Sequence, residues 1–371
     1  MNWLYDPGLR SLPWLAASAA LAAALVALAL GYARWRNVID EPGRRRSHSV
    51  PTPRGGGIGI VLAVLFGLYV LAASGLAVLP LRFMLAIVLV ALIGWIDDHR
   101  PLGAPLRLAV QLLAIAIWLW PVAAGAFSGD GHGNVVIAFG ALGVAALLVL
   151  LVAWSVNLHN FMDGIDGLLA FQALFVLGAL GLLCRRESGS HALELGLWAA
   201  AVAGFVPFNF PRARIFMGDV GSGVLGLLIA AAVLWQMALP QTAAASGLIA
   251  VSAFLTDASL TLLSRMTSGR RWYSAHREHL YQWLTRCGFS HARVVALYMG
   301  WNLLVVAPVL WWINRLPAQT QLAELDPGYA WAGGVYLVAI VVWVGGKRWC
   351  RRHAARRPLA PSDNGAQHAS A

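Results

Sequence analysis

Apolar residues in this chain come in long runs, separated by short stretches that hold most of its charge. Eleven runs approach the roughly 20 residues that a helix needs to cross a bilayer. They cover 13–33, 56–79, 82–96, 106–126, 134–156, 167–184, 194–209, 221–239, 244–264, 294–313 and 328–346. Each predicts a helix, because hydrocarbon offers backbone N–H and C=O groups no partner outside their own segment. No internal repeat is visible, and no connection is long enough for a separate soluble domain. The predicted fold is all-α: a polytopic integral membrane protein of about eleven transmembrane helices. Residues 1–357 form one domain, and the polar stretch 358–371 is expected to be a disordered tail.

Composition agrees with that pattern. Hydrophobic residues make up 59% of 371, charged residues only 12%, and the mean hydropathy is +0.69, all beyond the range of an ordinary soluble domain. The net charge of +11 is informative through its distribution, since cytoplasmic loops collect Lys and Arg. With the N-terminus outside, the inner loops hold six basic residues between 34 and 54 and two at 100 and 107. Two more lie at 212 and 214, six between 265 and 293 and six between 347 and 357, which makes 22 of the 27. The N-terminus is therefore expected in the periplasm and the C-terminus in the cytoplasm. The charge reports topology and an anionic inner leaflet rather than nucleic-acid binding. The strongest positive cluster follows the first run, which suits a reverse anchor better than a signal peptide. Cys184, Cys287 and Cys350 lack CxxC spacing, so neither a disulfide framework nor a zinc site is expected.

Acids beside membrane segments are costly and mark candidate functional sites. The topology gathers Asp40, Glu41, Asp97, Asp98, Asp163, Asp166, Asp219 and Glu278 on one face. In WIDDHR, Asp97 and Asp98 repel each other and stay ionised together only near a cation or metal. Arg107 opens the returning helix; a solvated loop is the simpler reading of the pair alone. In NLHNFMDGIDGL, Asn157, Asn160, Asp163 and Asp166 recur every three residues, so neighbours can share a ligand. Gly164 and Gly167 let backbone approach a phosphate. A polar cap accounts for one Asp there, less well for two Asp with two Asn.

FNFPRARIFMGDVGSGVLG places Asp219 and Ser222 where a helix begins after a basic turn. Free N–H groups there favour an anion, and a carboxylate can carry Mg2+ that bridges phosphate oxygens. A plain N-cap is the alternative. RRWYSAHREHLYQWL puts His276, Arg277, Glu278 and His279 in the largest inner loop, where solvated histidines are common. EPGRRRSHSVPTPRGGGIG adds Arg46, His48 and Arg54 before a Gly run, although polybasic loops often only fix topology. All five elements converge on one membrane face. That convergence predicts Mg2+-assisted phosphoryl or phosphosugar transfer, with one substrate lying in the bilayer.

These five motifs, in this order over about residues 36 to 293, resemble those of the polyprenyl-phosphate N-acetylhexosamine-1-phosphate transferases, the WecA/MraY superfamily. AHREHLYQ together with GDVGSG looks most like the WbpL-like O-antigen initiating enzymes. The HxHH run of the WecA type is absent, since Tyr281 and Gln282 follow His279 and Leu280, so only His279 is carried over.

The resemblance implies transfer of N-acetylhexosamine 1-phosphate from a UDP-sugar to undecaprenyl phosphate, releasing UMP, at the cytoplasmic face of a bacterial inner membrane. It implies Asp219 as principal Mg2+ ligand, with Asp97 and Asp98 completing the metal and nucleophile site and Mn2+ as a substitute ion. Asn160, Asp163 and Asp166 would line the nucleotide and diphosphate side, Asn209 and Phe216 would hold uridine, and His279 would bind diphosphate. Arg46, His48, Arg54 and Arg107 are candidates for phosphate contacts. The partners expected are UDP-N-acetylhexosamine, undecaprenyl phosphate and the bilayer; a homodimer stays open, as does the choice among GlcNAc, FucNAc and QuiNAc.

A phosphate monoester has a second pKa near ~6, so the lipid phosphate is largely a dianion at neutral pH and needs no strong general base. Direct in-line displacement is the expected route, with an aspartyl-phosphate double displacement as the alternative. Other readings fare worse. A secondary transporter would place its site near the midplane between repeated halves. A CDP-alcohol phosphotransferase would need an Arg where Phe171 stands, and further Asp residues between 167 and 218. Related enzymes of the enterobacterial common antigen or peptidoglycan lipid I type remain alternatives within the superfamily.

Overall fold

The computed structural model describes residues 7–41, 50–128, 135–185, 187–240, 242–270, 276–316 and 327–355. Every predicted apolar run contains a helix, although the run 56–79 is helical only as far as Ala73. The first eight give α1 (Pro7–Trp35), α2 (Ile58–Ala73), α3 (Leu81–His99), α4 (Ala104–Ser128), α5 (Val135–Met162), α6 (Leu168–Cys184), α7 (Gly189–Asn209) and α8 (Asp219–Met237). Among the described residues, seven helical runs are long and apolar enough to cross a membrane, and α2 and α6 are shorter apolar helices. The chain is thus a multi-pass membrane protein.

Two runs differ from expectation. The run 244–264 is two helices, α9 (Ser246–Ala250) and α10 (Ser252–Thr267), meeting at Val251. The run 294–313 consists of α12 (His291–Trp301), a π-helical turn (Asn302–Val306) and α13 (Ala307–Ile313). Pro308, near the start of α13, has no N–H to donate back along the helix, and the widened turn lies directly before it. The short α11 (Leu280–Arg286) precedes α12, and α14 (Gly328–Ala355) ends the described chain.

Helix α8 is the hub. It is apolar on all sides, and Val224, Leu225, Leu227, Leu228, Ala231 and Ala232 are all fully buried, as a helix without a polar face must be. It packs against α3, α5 and α6, so its first turn lies beside the last turns of α3 and α5. These three helix ends carry Asp97, Asp98, Asn160 and Asp219.

One small exception to the all-helical design closes this end. Strands β1 (Ile39–Asp40) and β2 (Thr52–Pro53) pair antiparallel, with Ile39 opposite Pro53 and Asp40 opposite Thr52. The segment after β2 then runs along the loop before α8. Phe216 N donates to Pro53 O at 2.8 Å, Gly56 N to Phe216 O at 2.9 Å and Gly57 N to Met217 O at 2.8 Å. This ladder carries Arg54 to the start of α8.

Candidate active site

The two adjacent acids at the end of α3 have different surroundings. The Asp98 side chain is 0% exposed. Its Oδ1 accepts from Arg54 Nε at 2.9 Å, from the terminal guanidinium nitrogen of Arg54, and from Asp219 N at 3.0 Å; its Oδ2 accepts from Val220 N at 3.2 Å. The first N–H groups of a helix need outside acceptors. Gly218, at the N-cap of α8 with φ of 77°, has no side chain to supply one, and a Cβ there would stand 2.5 Å from Asp98 Oδ2. Asp98 therefore caps α8 from a neighbouring helix. A carboxylate so placed positions Arg54 and the start of α8.

Asp97 turns the other way. Its Oδ1 accepts from Leu102 N at 2.6 Å and its Oδ2 from Arg107 NH1 at 2.8 Å. The same Arg107 nitrogen is 2.8 Å from Asp219 Oδ2, so one cationic nitrogen serves carboxylates from two helices. Arg54 lies 4.0 Å from the other Asp219 oxygen. Asp219 stays 24% exposed at the side chain, and it lines a cavity of about 240 Å3.

That cavity gathers Arg54, Asn160, Asp163, Asp166, Asn209, Phe216 and Asp219. Asn160 Nδ2 donates to Ser222 Oγ at 3.1 Å, joining α5 to α8. Asp163 follows the last residue of α5. No described residue donates a hydrogen bond to its carboxylate, and burial, followed by the charges of Asp219, Asp98 and Asp166, pushes it well above the usual carboxylate range. Burial alone works against the charge of Arg54, but Asp98 and then Asp219 and Asp97 outweigh it and raise that guanidinium further.

Asn209 also reaches the cavity wall, yet both ends of its side chain are engaged. Its Oδ1 accepts from Gly167 N at 2.8 Å and its Nδ2 donates to Ile215 O at 3.1 Å. It clamps the turn before α6 to the loop before α8. Asp166 Oδ2 accepts from Ala213 N at 3.3 Å and lies 3.2 Å from His291 Nδ1. His291 lines the cavity and went unnoticed in the sequence, because a single His after Ser290 carries no pattern. Gln282 lines it too.

His279 does not line this cavity. Its side chain is 3% exposed and its Nδ1 lies 3.9 Å from Asp257 Oδ1. Burial, opposed by Asp257, lowers its pKa, and burial with His279 and Arg265 holds the neighbouring His276 at about 4. Asp257 binds the start of α11 through Leu280 N at 2.8 Å and also accepts from Tyr298 Oη at 2.7 Å and Trp343 Nε1 at 2.9 Å. What reaches the cavity from this loop is Gln282. Its Nε2 donates to Tyr281 Oη at 3.1 Å, and Tyr281 Oη donates to Phe161 O at 3.0 Å. Arg46 and His48 lie outside the described residues.

A second cavity, of about 420 Å3, lies behind α11. Leu280, Leu284, Leu304 and Val342 line it, and Asp257 is its one carboxylate. The smaller cavity alone combines several acids with an arginine and a helix N-terminus.

Among the described residues no three His, Cys, Asp or Glu side chains stand close enough to hold a metal by themselves. Mg2+ does not demand such a cage, since it keeps waters and substrate phosphates and takes one or two protein carboxylates. Asp163 and Asp219 on one cavity wall fit that mode. No described residue donates to the Asp163 oxygens, and Asp219 already draws two guanidinium groups.

Comparison with known proteins fits this geometry. The Glycosyl transferase family 4 sequence model matches residues 80–237, which run from α3 through α8. Over 300 residues the chain is 32% identical to a decaprenyl-phosphate N-acetylglucosaminephosphotransferase of Mycobacterium leprae, covering 71% of this chain and 74% of the relative. The chain belongs to the polyprenyl-phosphate N-acetylhexosamine-1-phosphate transferase family. Within that family it is 28% identical over 281 residues to an undecaprenyl-phosphate alpha-N-acetylglucosaminyl 1-phosphate transferase of Yersinia pestis, covering 70% and 73% of the two chains. It is 29% identical over 311 residues to a phospho-N-acetylmuramoyl-pentapeptide-transferase of Symbiobacterium thermophilum, covering 78% and 90%.

Proposed function

We propose that this family member transfers N-acetylhexosamine 1-phosphate from a UDP-sugar to undecaprenyl phosphate, releasing UMP, as the first step of O-antigen or other envelope polysaccharide synthesis. The observation that carries the reading is the cavity where α3, α5 and α8 end. There Asp163 and Asp219 face the same space as Arg54 and the first turn of α8.

In this reading Asp163 and Asp219 would hold Mg2+, with Asp97 steering Arg107 onto Asp219. Such an ion would supply charge neutralisation at the phosphate oxygens. Arg54, fixed by Asp98, and the N-terminus of α8 bind diphosphate. Phe216 offers a ring face to the base, and Asn160 and Asp166 hold the nucleotide side. An oxygen of the lipid phosphate forms a bond to the sugar-bearing phosphorus while the bond from that phosphorus to the bridging oxygen breaks. UMP leaves with that oxygen. Because the acceptor is mostly a dianion at neutral pH, Asp97 and Asp98 act by orienting cations rather than by taking a proton.

A transporter reading draws no support from a site made at helix ends. The deciding experiment incubates purified protein with undecaprenyl phosphate and a panel of UDP-sugars carrying GlcNAc, FucNAc or QuiNAc, with and without Mg2+. UMP release with a diphosphate-linked lipid sugar is the expected result. Absence of both products with every sugar would overturn the proposal.

A further inference from the structure

We propose that His291 is a donor-binding residue, holding an uncharged hydroxyl or amide group of the nucleotide sugar through its Nε2. The inference rests on the transferase reading given above and assigns one more side chain to its donor.

His291 is the first residue of α12, and that helix start is fixed by Ser290 Oγ, which accepts from Arg293 N at 3.3 Å. The ring is oriented from the other side. Its Nδ1 lies 3.2 Å from Asp166 Oδ2 and 3.3 Å from Asp166 N. When one ring nitrogen is committed to a neighbour, the other is left in a defined place. No described residue partners Nε2, and it is not among the buried polar atoms left without a partner. His291 lines the cavity, and its Nε2 keeps surface that a ligand can reach.

A purely structural role would account for Nδ1. It ties α12 to the Asp166 turn, which in turn holds Ala213 N. It gives no reason for an imidazole whose second nitrogen stays open on the cavity wall. The surroundings decide the ligand class. Asp163, Asp166 and Gln282 line the same cavity, and a hydrocarbon tail beside them would leave their polar groups without partners. The Asp166 carboxylate that touches the ring also disfavours an anionic phosphate beside it. An uncharged hydroxyl or amide of the donor meets both conditions, since imidazole accepts from or donates to such groups.

Two substitutions separate the roles. In His291→Asn the amide stands near the position of Nδ1, keeping the link to Asp166 and losing Nε2; in His291→Gln it reaches the position of Nε2. The expected result is a KM for the UDP-sugar, and a dissociation constant measured without acceptor, raised about tenfold in His291→Asn and within about threefold of the parent in His291→Gln. The KM for undecaprenyl phosphate should move in neither. If His291→Asn binds donor as well as the parent, or if both variants lose kcat alone with donor affinity unchanged, His291 is only a tie and the proposal falls. A parent that turns over UDP-sugars confines that failure to His291. A parent that neither binds nor turns over any UDP-sugar removes both readings.

Discussion

The Tyr281 hydroxyl lies where a side chain on Gly164 would begin: a Cβ built on Gly164 stands 2.0 Å from that oxygen. The glycine between the two aspartates of the α5–α6 turn is thus a contact point for α11. Gly164→Ala should displace Tyr281 and with it Gln282, costing about 1–3 kcal/mol as an overpacked site does and lowering turnover at least tenfold. Tyr281→Phe, which removes the oxygen, should restore part of both losses in the double variant. Thermal unfolding in detergent and turnover of the four proteins of the cycle check this.

Asp98 and Asp219 should separate stability from activity. Asp98→Ala strips Arg54 and the start of α8 of a buried partner, a change worth about 3–5 kcal/mol, and should lower the unfolding temperature markedly. Asp219→Asn, at a partly exposed position, should leave the unfolding temperature within a few degrees and abolish turnover. Equal destabilisation by the two variants would contradict the assignment.

Asp163 carries a pH prediction. Its proton is held more tightly in the folded protein than in the unfolded chain, because burial and three other acids oppose ionisation. Stability from that proton is present at low pH and lost as pH rises through the elevated folded value. In chelator, Asp163→Asn should therefore raise the unfolding temperature more at pH 8 than at pH 5, while eliminating activity. A gain larger at pH 5 would reverse the sign and refute the argument.

Removal of divalent ions should stop turnover, with Mg2+ or Mn2+ restoring it. Arg107→Ala should cost about 10-fold or more in kcat, because Asp97 and Asp219 lose the charge that they share. Arg107→Lys, a point charge without the planar fork, should recover only part of that loss. Initial rates across a metal titration measure both effects.

Much of this arrangement was legible in the sequence. The helix positions followed from apolar run length, and the Asp-Asp pair, the Asn/Asp triplet spacing and the GDVGS helix start pointed to side chains that meet at one end of the bundle. Spacing could not separate Asp97 from Asp98, because adjacent residues at a helix end face different neighbours only after α8 has docked. His279 read as a ligand from its motif, yet Asp257, 22 residues earlier on another helix, draws the loop inward and leaves Gln282 at the wall. His291 had no pattern to betray it, since its partner Asp166 is distant in sequence and adjacent only in the fold. The π-helical turn followed from one proline's missing donor, a local effect that hydropathy does not register.

The borrowed cap on α8 also bears on biogenesis. Neither α3 nor α8 has a finished end by itself: one ends in a carboxylate without its donors, the other begins in donors without their acceptor. A nascent chain with only one of the two helices inserted leaves Asp98 and the first N–H groups of α8 without each other. Competence of this site thus arrives late, when the two segments meet.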